Sequence, residues 1–595
     1  MGPRRERKLY TELLGASLLL CSWLFAFPIL AQTPHNEELM RFPGQPGRRG
    51  GRLVVALRSE PKTLNPIVAM DEPSREVIGV MQADLIHINR ASQLTDPALA
   101  KSWKISADGL RYTLKLRSGL RFSDGQPMDA DDVVFSFRVY LDESIHAPQR
   151  DLLIVGGKPI EVRKVNQATV EFRLAKPYGA GARLFDGIAI LPKHLLEKPY
   201  LEGKLAQYWP LSTPEGQWAG LGPFRLKQYV PGERLVLERN PYYWKEDEKG
   251  TRLPYLDELV FLFVPSADAQ VLRFQSGETD IITGLGAGNF SVLSRQAHGV
   301  TMTDAGPGLE FNFLFFNLNE LPAGASAETA RKRAWFNSVK FRDAVSFAVD
   351  REAIVRLVYQ GHGAAIWGPV TPGDHRWIDP AIERPPRSIE RSLELLRHAG
   401  FSIENNSNGD RTLVDRDGVQ VKFTIVTSAS NADRLKMATL IQDDLKQIGM
   451  QVQVVPLEFR SLLDRVMQSK DYDACVLGLA SYDTDPNSDI NVWLSSGGTH
   501  LWHPSQTHPA TAWEAEIDRL MEQQLTALKF AERKKIYDHV QEILAQNQPM
   551  IFLASPDILV GARNNMGNFR PAVLEPYALW NIEELYLRNK GVSAK

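Results

Sequence analysis

The residue types able to do chemistry are scattered along this chain, and their spacing decides what they could do. His500, His503 and His508 form a local histidine cluster, and spacings of three and five could bring two ring nitrogens near a metal ion. Trp502, Pro504 and Pro509 interrupt the segment and no cysteine completes a ligand set, so it reads as a solvated irregular loop, with no metal and no cofactor. Nucleophilic, zinc-hydrolase and phosphate chemistry lack their spellings: Gly-x-Ser-x-Gly, His-Glu-x-x-His and a loop ending in Gly-Lys-Ser/Thr do not occur. Gly284, Gly286 and Gly288 alternate without the full dinucleotide spacing and read as a flexible loop. Cys475, within the apolar run from Ala474 to Leu479, reads as a buried small hydrophobe.

Binding chemistry is better represented than catalysis. Asp483 and Asp485 flank Thr484 ahead of Pro486. They could accept hydrogen bonds from a ligand, or could cap the segment Ile490 to Leu494 and close an Asx turn at Asp485-Pro486-Asn487. Tyr482 and Trp493 offer flat faces to a sugar or another planar ligand, or else belong to the core. Glu60, in the loop Ser59 to Pro66, is a hydrogen-bond acceptor or an ordinary turn carboxylate.

The elements that must position these groups alternate without a regular βαβ repeat. Trp103 to Ser106 and Tyr112 to Arg117 are two short strands joined at Asp108-Gly109, and a second turn lies at Asp124-Gly125. A helix starts at Asp129 or Asp131 and carries Val133, Phe135, Phe137, Val139 and Tyr140. Hairpins are expected around Asn166-Gln167 and Pro231-Gly232, a helix ending at Gly277, and further helices over 393–401, 433–449, 459–467 and 531–546. At 595 residues the chain holds several domains. A net charge of -2 leaves no broad basic field, which excludes nucleic acid as a partner.

Arg4, Arg5, Arg7 and Lys8 precede an uncharged apolar run from Leu13 to Phe27, the layout of a secretory signal peptide over 1–31, with cleavage before Gln32. An uncleaved anchor and a lipid on Cys21 are the alternatives. Residues 32–51, with Pro34, Pro43 and Pro46, read as a tether, and folding is expected to begin near Arg52.

The stretch Leu99 to Glu143, LAKSWKISADGLRYTLKLRSGLRFSDGQPMDADDVVFSFRVYLDE, resembles the signature of extracytoplasmic solute-binding proteins of the peptide/nickel class, which feed ABC importers. Gly220-Leu221-Gly222-Pro223-Phe224, Asn240-Pro241-Tyr242-Tyr243-Trp244 and Phe341-Arg342-Asp343-Ala344-Val345 extend the resemblance along the chain. It implies an α/β, periplasmic-binding-protein-like fold of the large class II type: two lobes about a hinge, with an inserted α+β lobe. The implied hinge lobe collects 52–88, 213–308 and 549–595, the inserted lobe 89–212 and the second large lobe 309–548. The resemblance further implies a periplasmic, monomeric protein that closes on a peptide or small-molecule ligand and delivers it to a membrane permease. It places the loop with Glu60, Thr63 and Asn65 in the ligand cleft, opposite Ser481, Tyr482, Asp483 and Asp485.

Many peptide-binding relatives hold the peptide's α-ammonium group with an aspartate in a Trp-x-Ala-Asp-Tyr run, three residues before an acidic-Pro pair. Here the matching positions carry Leu479 and Tyr482, and Asp483 stands one residue late. In extended chain that shift turns the side chain to the other face. A non-peptide ligand such as an oligosaccharide is therefore the alternative within the fold, and a secreted hydrolase the alternative of another class.

Overall fold

The structure, a computed structural model, describes residues 37–405 and 411–588. The segment read as a signal peptide, with Cys21, lies outside the described residues.

A 14-residue strand, Met550–Arg563, runs through the middle of the molecule and belongs to both large lobes. Its first half pairs with Glu310–Phe316, placing Met550 opposite Phe315. Its second half pairs with Val300–Pro307 and Ile281–Ile282, placing Arg563 opposite Val300. The expected lobe boundary, at 548/549, falls ahead of this strand. In the structure the passage from one lobe to the other falls inside it, near Pro556 and Asp557.

On the first-lobe side the sheet continues through Arg52–Leu57, Glu258–Phe263 and the hairpin Phe224–Val230/Arg234–Arg239. On the other side Glu310–Phe316 continues into Ala474–Ala480, Lys422–Ser428 and Gln451–Leu457. The central strands of this half read as near-continuous apolar runs, FNFLFF and ACVLGLA, because helices cover both of their faces. Cys475 is fully buried there.

The inserted lobe is a four-stranded sheet in which Arg111–Leu116 pairs with Ala100–Ile105 and Thr169–Arg173, and Glu161–Asn166 closes the edge. Gly109 at φ +71° makes the first turn and Gly125 at φ +89° the second. The helix Ala130–Leu141 starts at Asp129, whose side chain takes the Asp131 N–H while Asp132 reaches back to the Asp129 N–H. Its buried face carries Val133, Phe137 and Tyr140, with Phe137 edge-on to Phe172 at 4.7 Å between ring centres.

Folding begins earlier than the sequence suggests. Met40–Phe42 pairs in parallel with Lys245–Asp247, and Phe42 is buried in the first-lobe core. The stretch around Met40–Phe42, expected to be part of the tether, is therefore docked on the first lobe by one aromatic side chain and three ladder positions.

Candidate ligand cleft

The strand Ala474–Ala480 delivers a short polar loop to the face where the lobes meet. Asp485 turns out to be a scaffold. Its carboxylate accepts both Arg533 terminal nitrogens at 2.7 Å, the two side chains are each 4% exposed, and it also takes the Asn487 N–H. A buried charge held this completely is unavailable to a ligand. Trp493 is likewise removed from the cleft: at 1% exposure it stacks on Phe311 in the core.

Asp483 points the other way and meets the inserted lobe. Arg183 donates Nε to Asp483 Oδ2 at 2.9 Å and engages Oδ1 with its terminal nitrogen, which also reaches Thr484 Oγ1 at 3.0 Å. The same guanidinium donates to the Gln93 carbonyl. Two further bridges join these lobes: Gln93 Nε2 to the Gly373 carbonyl and the Gly179 N–H to the Leu525 carbonyl, both 2.6 Å.

Behind this contact lies a cavity of about 20 Å³, lined among others by Thr371, Asp374, Ser481, Asp483, Asp489 and Tyr537. That is room for one water molecule or an ammonium head. Burial pushes Asp374 up to about 8 and Asp489 up to about 6. Ser481 donates its hydroxyl to Asp489 at 2.5 Å. A cationic head with several N–H donors would find oxygen acceptors on Asp374, Asp483 and Asp489 here, and its charge would favour release of the proton that burial holds on Asp374.

The facing wall belongs to the first lobe. Tyr482 is 73% exposed, and Arg75 from the helix Glu72–Met81 lies 5.5 Å from its ring centre. Next to Arg75, Glu76 is pushed up to about 8 by burial and by the charges of Glu72 and Glu575.

The loop expected to line the cleft spends several of its polar groups on hydrogen bonds within its own lobe and to the inserted lobe. Glu60 accepts from the Tyr229 hydroxyl and from the Gly232 N–H. Thr63 Oγ1 accepts the Asn65 N–H, and Asn65, 1% exposed, donates to the Leu205 and Tyr208 carbonyls. These contacts shape the loop, and Asn65 has both of its amide donations committed there.

The histidine cluster also differs from expectation. His500 and His503 are buried, not solvated. His500 places Nδ1 against the Val492 carbonyl and Nε2 against Glu514, which also accepts from Trp502, Gln506 and Thr511. Burial raises the Glu514 pKa, but these donors outweigh it and hold the carboxyl at about 2. Both His500 nitrogens are committed, so the ring is a core hydrogen-bonding node and not a metal ligand.

Arg183, Asp374 and Asp489 are the cleft residues that sequence reasoning missed. Asp489 follows Ser481 by eight positions and carries a weak local signal, whereas Arg183 and Asp374 come from distant segments.

Two large lobes sharing crossing strands and facing each other across a polar cleft are the build of a binding protein that closes on a solute. The description "Bacterial extracellular solute-binding proteins, family 5 Middle" matches residues 95–500, and the chain belongs to this family. It is 26% identical over 584 residues to "Oligopeptide-binding protein AppA" of Bacillus subtilis, covering 97% of this chain and 99% of that one. The structure of that protein in complex with a nonapeptide matches with a TM-score of 0.65 over 91% of this chain and all of the other, at 25% identity. A "Probable ABC transporter-binding protein" of Deinococcus radiodurans is 27% identical over 84% of this chain and 85% of its own. The ABC transporter substrate-binding protein CtaP of Listeria monocytogenes shares the fold, with a TM-score of 0.73 and 23% identity over 91% of this chain and all of that one. No helix among the described residues is long and apolar enough to cross a membrane.

Proposed function

We propose that this chain is the extracytoplasmic substrate-binding component of an ABC importer. It captures a short peptide or related solute between the first and second lobes, closes on it and passes it unchanged to a membrane permease. Export through the segment 1–31, with or without a lipid on Cys21, places the monomer outside the cytoplasmic membrane. Binding without chemistry suffices for this role, since a ligand that prefers the closed form shifts the population toward it.

The observation that carries the reading is the cavity in the second lobe lined by Asp374, Asp483 and Asp489, directly behind the Arg183–Asp483 contact with the inserted lobe. It supplies acceptors for an α-ammonium group by a different set of side chains from the single aspartate of the Trp-x-Ala-Asp-Tyr run. The B. subtilis protein in complex with a nonapeptide supports a peptide as the ligand class. A second reading, a non-peptide ligand such as an oligosaccharide, is favoured by the exposed Tyr482 ring and by Asp483 being engaged with Arg183.

The test is a thermal-unfolding scan with a pooled di- to hexapeptide mixture and, separately, a pooled oligosaccharide mixture. Ligand at about a hundred times its Kd adds roughly 2.7 kcal/mol to the folded state. A rise in Tm with peptides supports the first reading, a rise with oligosaccharides alone supports the second, and conversion of either pool by the pure protein contradicts both.

A further inference from the structure

We infer that Asp304, His362 and Asp557 form a divalent-cation site at the crossing point of the lobes. One donor atom from each residue lies within 4.8 Å of the others. Three segments bring them there: Asp304 from Val300–Pro307, His362 immediately before Gly363–Ala365, and Asp557 from the middle of Met550–Arg563.

The backbone fixes this arrangement. The ladder between Val300–Pro307 and Met550–Arg563 shifts register between Asp304 and Pro307, and Gly306, at φ +88°, gives its N–H to Asp304 Oδ1. The Asp557 N–H donates to the His362 carbonyl, and the His362 ring lies edge-on to Phe290, 4.9 Å between ring centres.

The side chains leave one acceptor unanswered. Asp304 Oδ2 meets His362 Nδ1 at 2.7 Å, but Asp557 Oδ1 is closed off from solvent and has no hydrogen-bond partner. A buried acceptor without a donor is costly, and two carboxylates side by side require a proton or a cation between them. An imidazole with two carboxylates, open to solvent on the Asp304 and His362 side, suits a borderline divalent ion such as Zn²⁺ or Mn²⁺. Coordination would replace the His362–Asp304 hydrogen bond.

A similar trio, Asp84, His87 and Asp186, shows what satisfaction looks like. There the carboxylates accept the Gly187 and Ile88 N–H groups, and Arg90 supplies the positive charge. That trio needs no ion.

The experiment is calorimetric titration of Zn²⁺ alone into chelator-stripped, untagged protein, compared with Asp557→Asn and His362→Gln. Circular dichroism and Tm verify that both variants are folded; His362→Gln alters a partly exposed ring and keeps the test open if Asp557→Asn does not fold. The expected result is one Zn²⁺ per wild-type chain with a Kd below about 10 μM, weakened at least about tenfold in each folded variant. Equal uptake by wild type and variants would place the ion elsewhere. No uptake below about 1 mM would leave a shared proton between the carboxylates; either result overturns the assignment.

Discussion

Arg183→Ala should open the molecule, because the pair it forms with Asp483 bridges two lobes. The Arg183 and Asp483 side chains are 10% and 26% exposed, so the pair is screened far less than a surface ion pair. Two unit charges at about 4 Å attract by about 4 kcal/mol at an effective dielectric of 20, and desolvation takes back part of this. Close charge pairs across interfaces couple by about 1.5–7 kcal/mol, and a carboxylate one-quarter exposed belongs at the low end. We therefore expect about 2 kcal/mol, or roughly a 30-fold fall in the closed-to-open ratio. Fluorescent labels at Leu152→Cys on the inserted lobe and Leu357→Cys on the second lobe would report the ratio, since both positions are exposed. Burial pushes the Cys475 thiol well up, which keeps it unlabelled. Arg183→Ala and Asp483→Ala should each lower energy transfer, and the double variant should lower it no further. Unchanged transfer in Arg183→Ala, or single effects that simply add, would refute a coupled latch.

Three other outcomes are expected from the same structure. Arg533→Met leaves the Asp485 carboxylate buried and unpaired, and should cost about 3–5 kcal/mol in denaturant unfolding, far more than a surface charge deletion. Asp374 has its pKa raised from 3.8 to about 8, so between these values the folded state holds a proton that the unfolded chain lacks. Its contribution to stability is therefore full below about pH 4 and lost as pH rises through about 8, with a slope of at most about 1.4 kcal/mol per pH unit. Asp374→Asn should flatten that part of the stability profile. Phe42→Ala empties a core position and should cost about 3 kcal/mol, freeing the strand-paired backbone beside the already exposed Arg41 for tryptic cleavage in the native protein; unchanged digestion would contradict docking of this segment.

What could be read from the sequence was what neighbouring residues decide among themselves. The turn at Asp108-Gly109 and the helix cap are local chemistry; the turn stands where the spelling puts it, and of the two caps the spelling allows, Asp129 and Asp131, the structure uses Asp129. Met40–Phe42 reads as tether by composition yet is docked, because it has almost no signal of its own and gains its strand partner only from Lys245–Asp247. Asp483 illustrates the same limit in the cleft: its partner is 300 residues away, so no spacing rule could reveal a latch. His500 reads as solvated beside two prolines, yet Glu514 on the next helix collects it and three other donors into the core. Asn65 shows the reverse case, a polar residue in a cleft-like loop whose donors go to the Leu205 and Tyr208 carbonyls of the inserted lobe.

Whether the protein binds a solute without altering it can be decided by native mass spectrometry of the purified chain after incubation with the peptide pool, with the bound species released and weighed. One solute per chain is expected, released with the mass it had before binding and bound more weakly by the folded Asp374→Asn and Asp489→Asn variants. Released fragments, or a bound peptide whose affinity ignores both aspartates, would contradict capture in this cleft.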